Sequence, residues 1–198
     1  MSVAERCPSC AEAERTNGWC EPCARGYVAG RAVPSRIFHE ALDAHGHELE
    51  AGGVLCLECA EVLEADGFCT RCQRGFVAGQ LYFSELTWSL HRGAMRPREE
   101  VRCRGCLEAY GGTGECADCG ARWVGSVDFR DPALHARAAH QWRRLELALE
   151  RLATCEMCAA AGFFGQSCPK CGTPPVPENP APENPAPENA VPEKPAPE

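Results

Sequence analysis

Residues 7–23 read CPSCAEAERTNGWCEPC. The same frame returns at 56–72 (CLECAEVLEADGFCTRC), 103–119 (CRGCLEAYGGTGECADC) and 155–171 (CEMCAAAGFFGQSCPKC). Each stretch is C-x2-C-x9-C-x2-C, and the unit starts lie 49, 47 and 52 residues apart. The 16 cysteines of the 198-residue chain all fall in these frames. They are Cys7, Cys10, Cys20 and Cys23; Cys56, Cys59, Cys69 and Cys72; Cys103, Cys106, Cys116 and Cys119; and Cys155, Cys158, Cys168 and Cys171. Such an internal repeat has to be recognised before any fold is assigned.

The spacing is that of a metal site. Two residues between cysteines let a tight turn aim both sulfurs at one point, and a second pair completes a tetrahedron. Zn²⁺ takes four thiolates at ~2.3 Å in this geometry. Nine intervening residues are enough for a short hairpin-like excursion. The expectation is one Zn²⁺ per unit, four in all, in closed structural sites with no ligand position left for water. Pairing within a unit is expected over a cross-brace between units. Loop-closure entropy favours it by only about 1 kcal/mol, but the identical short gap in all four units argues for it more strongly. Three other uses of the cysteines stand beside zinc. Disulfides suit an oxidising compartment, a thioredoxin-like pair would sit beside a βαβ pattern, and a rubredoxin-type iron site uses the same four thiolates.

The units resemble zinc-ribbon knuckles of the double-zinc-ribbon type. The resemblance is carried best by Cys155-Glu156-Met157-Cys158 and Cys168-Pro169-Lys170-Cys171-Gly172, and in part by Cys7-Pro8-Ser9-Cys10, which lacks the glycine. It covers about 17 residues per unit and implies metal and local fold. It says little of function, because such ribbons serve nucleic-acid enzymes, regulators and scaffolds alike. The first three units depart from it by carrying a strand and a helix between ribbons.

Those additions repeat. An aromatic and a valine stand just past the last cysteine of each of these units, at Tyr27-Val28, Phe76-Val77 and Trp123-Val124. A short β-strand that lays its aromatic over the metal site is expected there. Gly18, Gly67 and Gly114 stand two residues before the third cysteine, where a positive φ is expected. Helices are expected at Arg36 to about Ala44 behind Ser35, at Glu85 to about Arg92 behind Ser84, and from Pro132 to about Leu152 behind Asp131. In the last, Leu134, Ala138, Trp142, Leu145, Leu149 and Leu152 form one apolar stripe. At ~31 Å this helix is too long for one ribbon to cover and must pack on its neighbours or on a partner.

The fold class is therefore small zinc-stabilised α+β repeats. Ribbon one and its helix occupy 1–50, ribbon two and its helix 51–98, ribbon three and the long helix 99–153, and ribbon four 154–173. Residues 174–198 form a Pro-rich tail of period Pro-Ala-Pro-Glu-Asn, expected to be disordered. Leu, Ile, Val and Phe make up only 33 of 198 residues, which argues against a large apolar core. Metal is expected to supply the missing stability, about 10–16 kcal/mol per site, so that the apo-protein is largely unfolded.

Charge bears on partners. The net charge is -8, and four thiolates around one Zn²⁺ add about -2 per site relative to neutral thiols. Non-specific nucleic-acid binding is thereby disfavoured. A nucleic-acid role would rely on Arg137, Arg144 and Arg151 along the long helix, or on Arg92, Arg96, Arg98, Arg102 and Arg104; solvated edges are the plainer account. His45-Gly46-His47 with His39 is a weak candidate for another metal. His91, His135 and His140 read as scattered helix-face or surface residues. No phosphate loop, nucleophile elbow or open metal site points to catalysis.

The reading is a non-enzymatic, cytoplasmic interaction or scaffold protein with a protein partner and no membrane. An Arg-to-Lys ratio of 18 to 2 suggests a high-GC genome, and a bacterial source is expected. Trp88, Trp142 and the Leu145–Leu149–Leu152 edge are the docking candidates unless internal packing consumes them. Nucleic-acid association and rubredoxin-like electron transfer are the alternatives.

Overall fold

A computed structural model describes residues 7–49 and 56–176. In the first unit, α1 (Pro8–Thr16) starts directly behind Cys7 at its N-cap, with proline in the first turn where its missing N–H is harmless. The helix stops at Asn17, which is left-handed. Then follow β1 (Trp19–Cys20), β2 (Arg25–Val28) and β3 (Arg31–Val33), an antiparallel sheet in that order. Ala29 and Gly30 both have positive φ, and that pair of conformations makes a two-residue turn of the hand that suits twisted strands. α2 (Arg36–Leu42) follows, capped by Ser35, whose Oγ accepts the Phe38 N–H at 3.2 Å. β4 (His47–Glu48) ends the segment.

The second unit repeats this as α3 (Leu57–Glu64), β5 (Phe68–Cys69), β6 (Arg74–Val77), β7 (Gln80–Tyr82) and α4 (Glu85–Arg92). β4 joins its sheet, in the order β4-β7-β6-β5. The third has β8 (Ala94–Met95), α5 (Arg104–Ala109), β9 (Thr113–Glu115), β10 (Arg122–Val124), β11 (Val127–Phe129) and α6 (Pro132–Glu150), with β8 on the edge beside β11. The strand before each of these two frames thus belongs to the sheet that follows it, across residues 50 and 98. The fourth unit has only α7 (Glu156–Phe163) before its second cysteine pair.

Two expectations are corrected. The nine-residue gap is not a hairpin-like excursion, because in every unit it begins as the body of a helix. A cysteine at the N-cap leaves its sulfur beside the free N–H groups of the first turn, as where the Cys59 N–H donates to Cys56 Sγ at 3.3 Å. Gly18, Gly67 and Gly114 are not at positive φ. The left-handed residue is one earlier, at Asn17 and Asp66. Gly67 is small for another reason, since a Cβ there would come within 2.8 Å of the Val62 side chain.

The composition also understates the interior. Nineteen buried residues form one shared core, and six of them are alanines that the count of larger side chains omitted. The first hairpin supplies Val28, Ala29 and Val33, and the third supplies Val124, Val127 and Phe129. α6 runs through the middle with Ala138, Trp142, Leu145 and Ala148; α4 and α7 pack against it, and α2 packs on α7. Gly125, at φ 59°, has no room for a Cβ, which would meet the Ala29 carbonyl oxygen and the Trp142 ring. The Ser126 N–H then donates to that carbonyl at 2.9 Å, locking the two hairpin turns together. The long helix is thus covered by its neighbours. The Pro-rich segment does not start free either: Val176 is buried against Gly162, and its N–H donates to the Gly162 carbonyl. The remainder of the tail lies outside the described residues.

Candidate metal centres

The 16 cysteines gather into four groups of four, and the four sulfurs of each group lie within 4.8 Å of one another. The groups follow the units, so the pairing is local and not a cross-brace. None of the cysteines is in a disulfide. In the second group Cys56 Sγ stands 3.4 Å from Cys59, 3.8 Å from Cys69 and 3.5 Å from Cys72. The first has Cys7–Cys20 at 4.0 Å and Cys10–Cys20 at 3.4 Å, and the third has Cys103–Cys116 at 3.5 Å and Cys106–Cys119 at 3.4 Å. Four sulfurs held ~2.3 Å from a central ion would be about 3.8 Å apart. These spacings bracket that value. The fourth group is tighter, with Cys158–Cys171 at 3.0 Å, still well beyond a disulfide at ~2.05 Å. Each group could hold one metal ion.

Two local devices build every group. The first cysteine pair sits on a helix N-terminus. The second sits on a turn whose next residue is left-handed, at Ala24, Gln73, Gly120 and Gly172. That turn points backbone N–H groups at sulfur, as where the Cys72 N–H donates to Cys69 Sγ at 3.3 Å. The third cysteine is buried in each group, while Cys23, Cys119 and Cys171 reach the surface.

The thiols divide their protons unequally. The Cys10 N–H holds Cys7 down to about 7, and the Cys59 N–H holds Cys56 down to about 7. Cys171 is lowered to about 6, first by its bond with the Cys158 thiol. The partners move the other way: bonds to neighbouring thiols, Cys10 first, push Cys23 up to about 12, and Cys171 pushes Cys158 up to about 12. One thiolate per cluster is easy to form, and further ones repel it. A bound cation removes that conflict, and its binding releases the remaining protons.

The aromatics expected over the sites are there. Tyr27 packs with Cys20, Phe76 with Cys59 and Cys69, and Trp123 with Cys106 and Cys116. Behind each stands a residue whose role the sequence reading missed. His39 Nε2 donates to the carbonyls of Asn17 and Tyr27 at 3.0 and 3.2 Å. Trp88 Nε1 donates to those of Asp66 and Phe76 at 3.1 and 3.2 Å. His135 Nε2 donates to that of Trp123 at 3.3 Å. All three stand twelve residues past the aromatic, a signal visible once the units are aligned. A second pair was missed in the same way: Asn17 Oδ1 and Asp66 Oδ1 accept the N–H of Ala29 and Ala78 at 2.7 and 2.8 Å, tying helix end to hairpin turn.

The other candidates disperse. His47 Nε2 faces Asp43 Oδ1 at 2.7 Å and His91 donates to the Ala44 carbonyl, while His39 is committed as above. Among the described residues, the four cysteine groups alone gather metal-ligating side chains in one place, so the histidine site falls away. Arg137 grips Glu85 and stacks on Trp88; Arg144 donates to the Phe163 carbonyl, and Arg151 to those of Pro174 and Pro175. These arginines tie α6 and the residue after it to neighbouring elements, although Arg137 stays exposed to solvent, and they are not a free basic stripe. In the second set, Arg92 donates to Asp66, Arg96 faces Asp128, Arg104 pairs with Glu108 and Arg98 lies over Tyr110. Trp88, Trp142 and Leu145 are buried, so internal packing has consumed them as docking residues.

Among the described residues, no helix is long and apolar enough to cross a membrane. Comparison with protein-family models, with curated proteins and with solved structures gives no match.

Proposed function

We propose that this protein is a non-enzymatic scaffold whose fold is set by four structural Zn²⁺ ions and whose surface engages a protein partner. The observation that carries the reading is the closure of the sites. Four cysteines converge in each group, and a tetrahedral ion coordinated by all four has no position left for water or substrate. A catalytic zinc keeps such a position open. Thiolate donors suit zinc and iron alike, and zinc is preferred because a structural role needs no redox change. Nucleic-acid association is the weaker reading, since Arg137, Arg144 and Arg151 are engaged with a carboxylate and carbonyls within the fold.

Elemental mass spectrometry of protein purified under reducing conditions should find four zinc per chain. Far-UV circular dichroism should collapse on chelation and return with Zn²⁺. Iron with visible thiolate-to-iron absorption would replace the scaffold by an electron carrier, and a metal-free protein with unchanged dichroism would end the metal reading. The partner half of the proposal predicts reciprocal capture of one defined protein, lost on chelation. A nucleic-acid mobility shift that weakens with salt, without such a protein, would overturn it.

A further inference from the structure

Between the β7–α4 turn, α6 and α7 lies a cavity of about 520 Å³ that no metal group touches, bordered by Phe83, Ser84, Gln141, Arg144, Met157 and Phe164. That size falls in the range of small-molecule sites. Its polar lining is incomplete in a specific way. Arg144 donates to the Phe163 carbonyl at 2.6 Å and, weakly, to Gln141 Oε1 at 3.4 Å, but its Nε–H is buried with no partner. Among the described residues Arg144 faces no carboxylate within 4 Å, as is true of about half the arginines, but it is partly buried. A partly buried guanidinium without a counter-charge is costly.

The second gap is Ser84. It is 2% exposed, and its Oγ makes no hydrogen bond. It stands at the N-cap of α4, where its counterparts work: Ser35 caps α2, and Asp131 accepts the N–H groups of Ala133 and Leu134 at the start of α6. α4 therefore opens on this cavity with no side-chain cap, and an uncapped helix start favours an anion. The one carboxylate lining the cavity is Glu85, held by Arg137 through Oε1 and by Gln141 through Oε2. It would repel a doubly charged ligand more than a singly charged one. Phe83 and Phe164, 43% and 37% exposed, stand at the mouth as an apolar wall.

We infer that this cavity binds a monocarboxylate carrying an apolar arm, with its oxygens toward Arg144, Ser84 and the start of α4 and its arm between Phe83 and Phe164. Two sources offer that chemistry: a free organic acid, or a glutamate of the chain's own Pro-Ala-Pro-Glu repeats, whose prolines suit an aromatic wall. The inference does not rest on the scaffold reading.

The test titrates phenylacetate into the metal-loaded full-length protein and follows the arginine Nε–H signals by NMR. The Arg144 signal should shift saturably. Phenylacetamide, which lacks the charge, should leave it unmoved. Ser84→Ala should weaken binding about tenfold, the weight of one hydrogen bond to a charged group, with unchanged dichroism and metal content. Arg144→Gln should abolish binding. If Arg144→Gln disturbs the fold by releasing α7, Ser84→Ala still decides, because that hydroxyl bonds to nothing in the protein. A full-length variant with Glu178, Glu183, Glu188, Glu193 and Glu198 changed to Gln separates the sources. Tail occupancy predicts that this variant shifts the Arg144 signal without ligand and binds phenylacetate more tightly. An unchanged signal with equal binding assigns the site to a free acid. An Arg144 signal that ignores both phenylacetate and the tail variant, or binding that Ser84→Ala leaves intact, would overturn the inference.

Discussion

The first and second units share a skeleton at a constant offset of 49 residues, yet the shared core uses their hairpins differently. Asn17 and Asp66 end the first helix of each, Ala29-Gly30 and Ala78-Gly79 make the turn, and His39 and Trp88 hold the strand carbonyls. Ala29 is wholly buried and bonded to the third hairpin through Ser126. Ala78 is exposed, and nothing lies within 4 Å of a Cβ placed on Gly79. The repeat therefore dictates the local chain path, while burial is assigned by whichever unit lies next door. The sharpest contrast is between Ala29 and Ala78, identical residues in nearly identical conformations.

Breaking a metal group should have the largest effect, and should spread differently from the two units. With one Zn²⁺ per group as proposed, Cys20→Ser and Cys69→Ser are each expected to forfeit one ion, at a cost on the scale of about 10 kcal/mol for that unit. Only the first should unlock the paired hairpin turns. Hydrogen exchange at the Ser126 amide should rise sharply in Cys20→Ser and stay slow in Cys69→Ser. Equal exchange in both variants would mean that the turns are not held by the first site.

Ala29→Glu and Ala78→Glu come next. The first places an unpaired charge in the core and should cost at least about 3 kcal/mol in denaturant unfolding. The second adds a solvated side chain and should fall within about 0.5 kcal/mol of the parent. Comparable losses would sink the view that neighbours, and not the repeat, decide burial.

How much of this was legible follows the same division. The metal groups were readable because a C-x2-C pair constrains the chain within three residues. Helix α6 was readable from Asp131-Pro132 and the apolar period, and α4 from the position of Ser84, although the expected side-chain cap is not formed there. The short helices inside the nine-residue gaps were not, since stretches such as Ala11–Thr16 hold too few turns to show an apolar period, and they are fixed by the cysteine at the N-cap and by packing. The clamping roles of Arg137, Arg144 and Arg151 were hidden for another reason. Their partners, Glu85, Phe163 and Pro174, lie outside the third unit, and no local pattern reports contacts across 52, 19 and 23 residues.

A smaller effect separates His39 from Trp88. Burial drives the His39 pKa below its ordinary value, against two carbonyls that favour the charged form. The unfolded chain then binds a proton more readily than the folded one. Stability from this group is complete above about pH 6.5 and is lost as pH falls through that value toward the lowered folded pKa. Trp88 occupies the equivalent position and does not titrate. With metal held saturating, amide protection factors (intrinsic over observed exchange rate at each pH) should fall more in β2 than in β6 between about pH 7 and 5.5, and His39→Phe should remove the difference while lowering stability at every pH. A parallel fall in both strands would assign the acid effect to the thiolates instead.

The smallest effect concerns the residue after the fourth cysteine. It is left-handed in all four units, but Gly120 and Gly172 fill it in the last two, and Ala24 and Gln73 in the first two. A side chain there pays a local steric cost that glycine escapes, although glycine gains more freedom when the chain unfolds. The two terms nearly cancel, so Gln73→Gly should stabilise the second unit by no more than about 1 kcal/mol. The loss of the Gln73 Nε2 bond to the Thr70 carbonyl, at 2.6 Å and exposed, trims that gain. Ala24→Gly has no such bond to lose and should gain slightly more. A destabilisation in both variants would show that the turn geometry is imposed by the bound ion so firmly that the conformational preference of the next residue no longer counts.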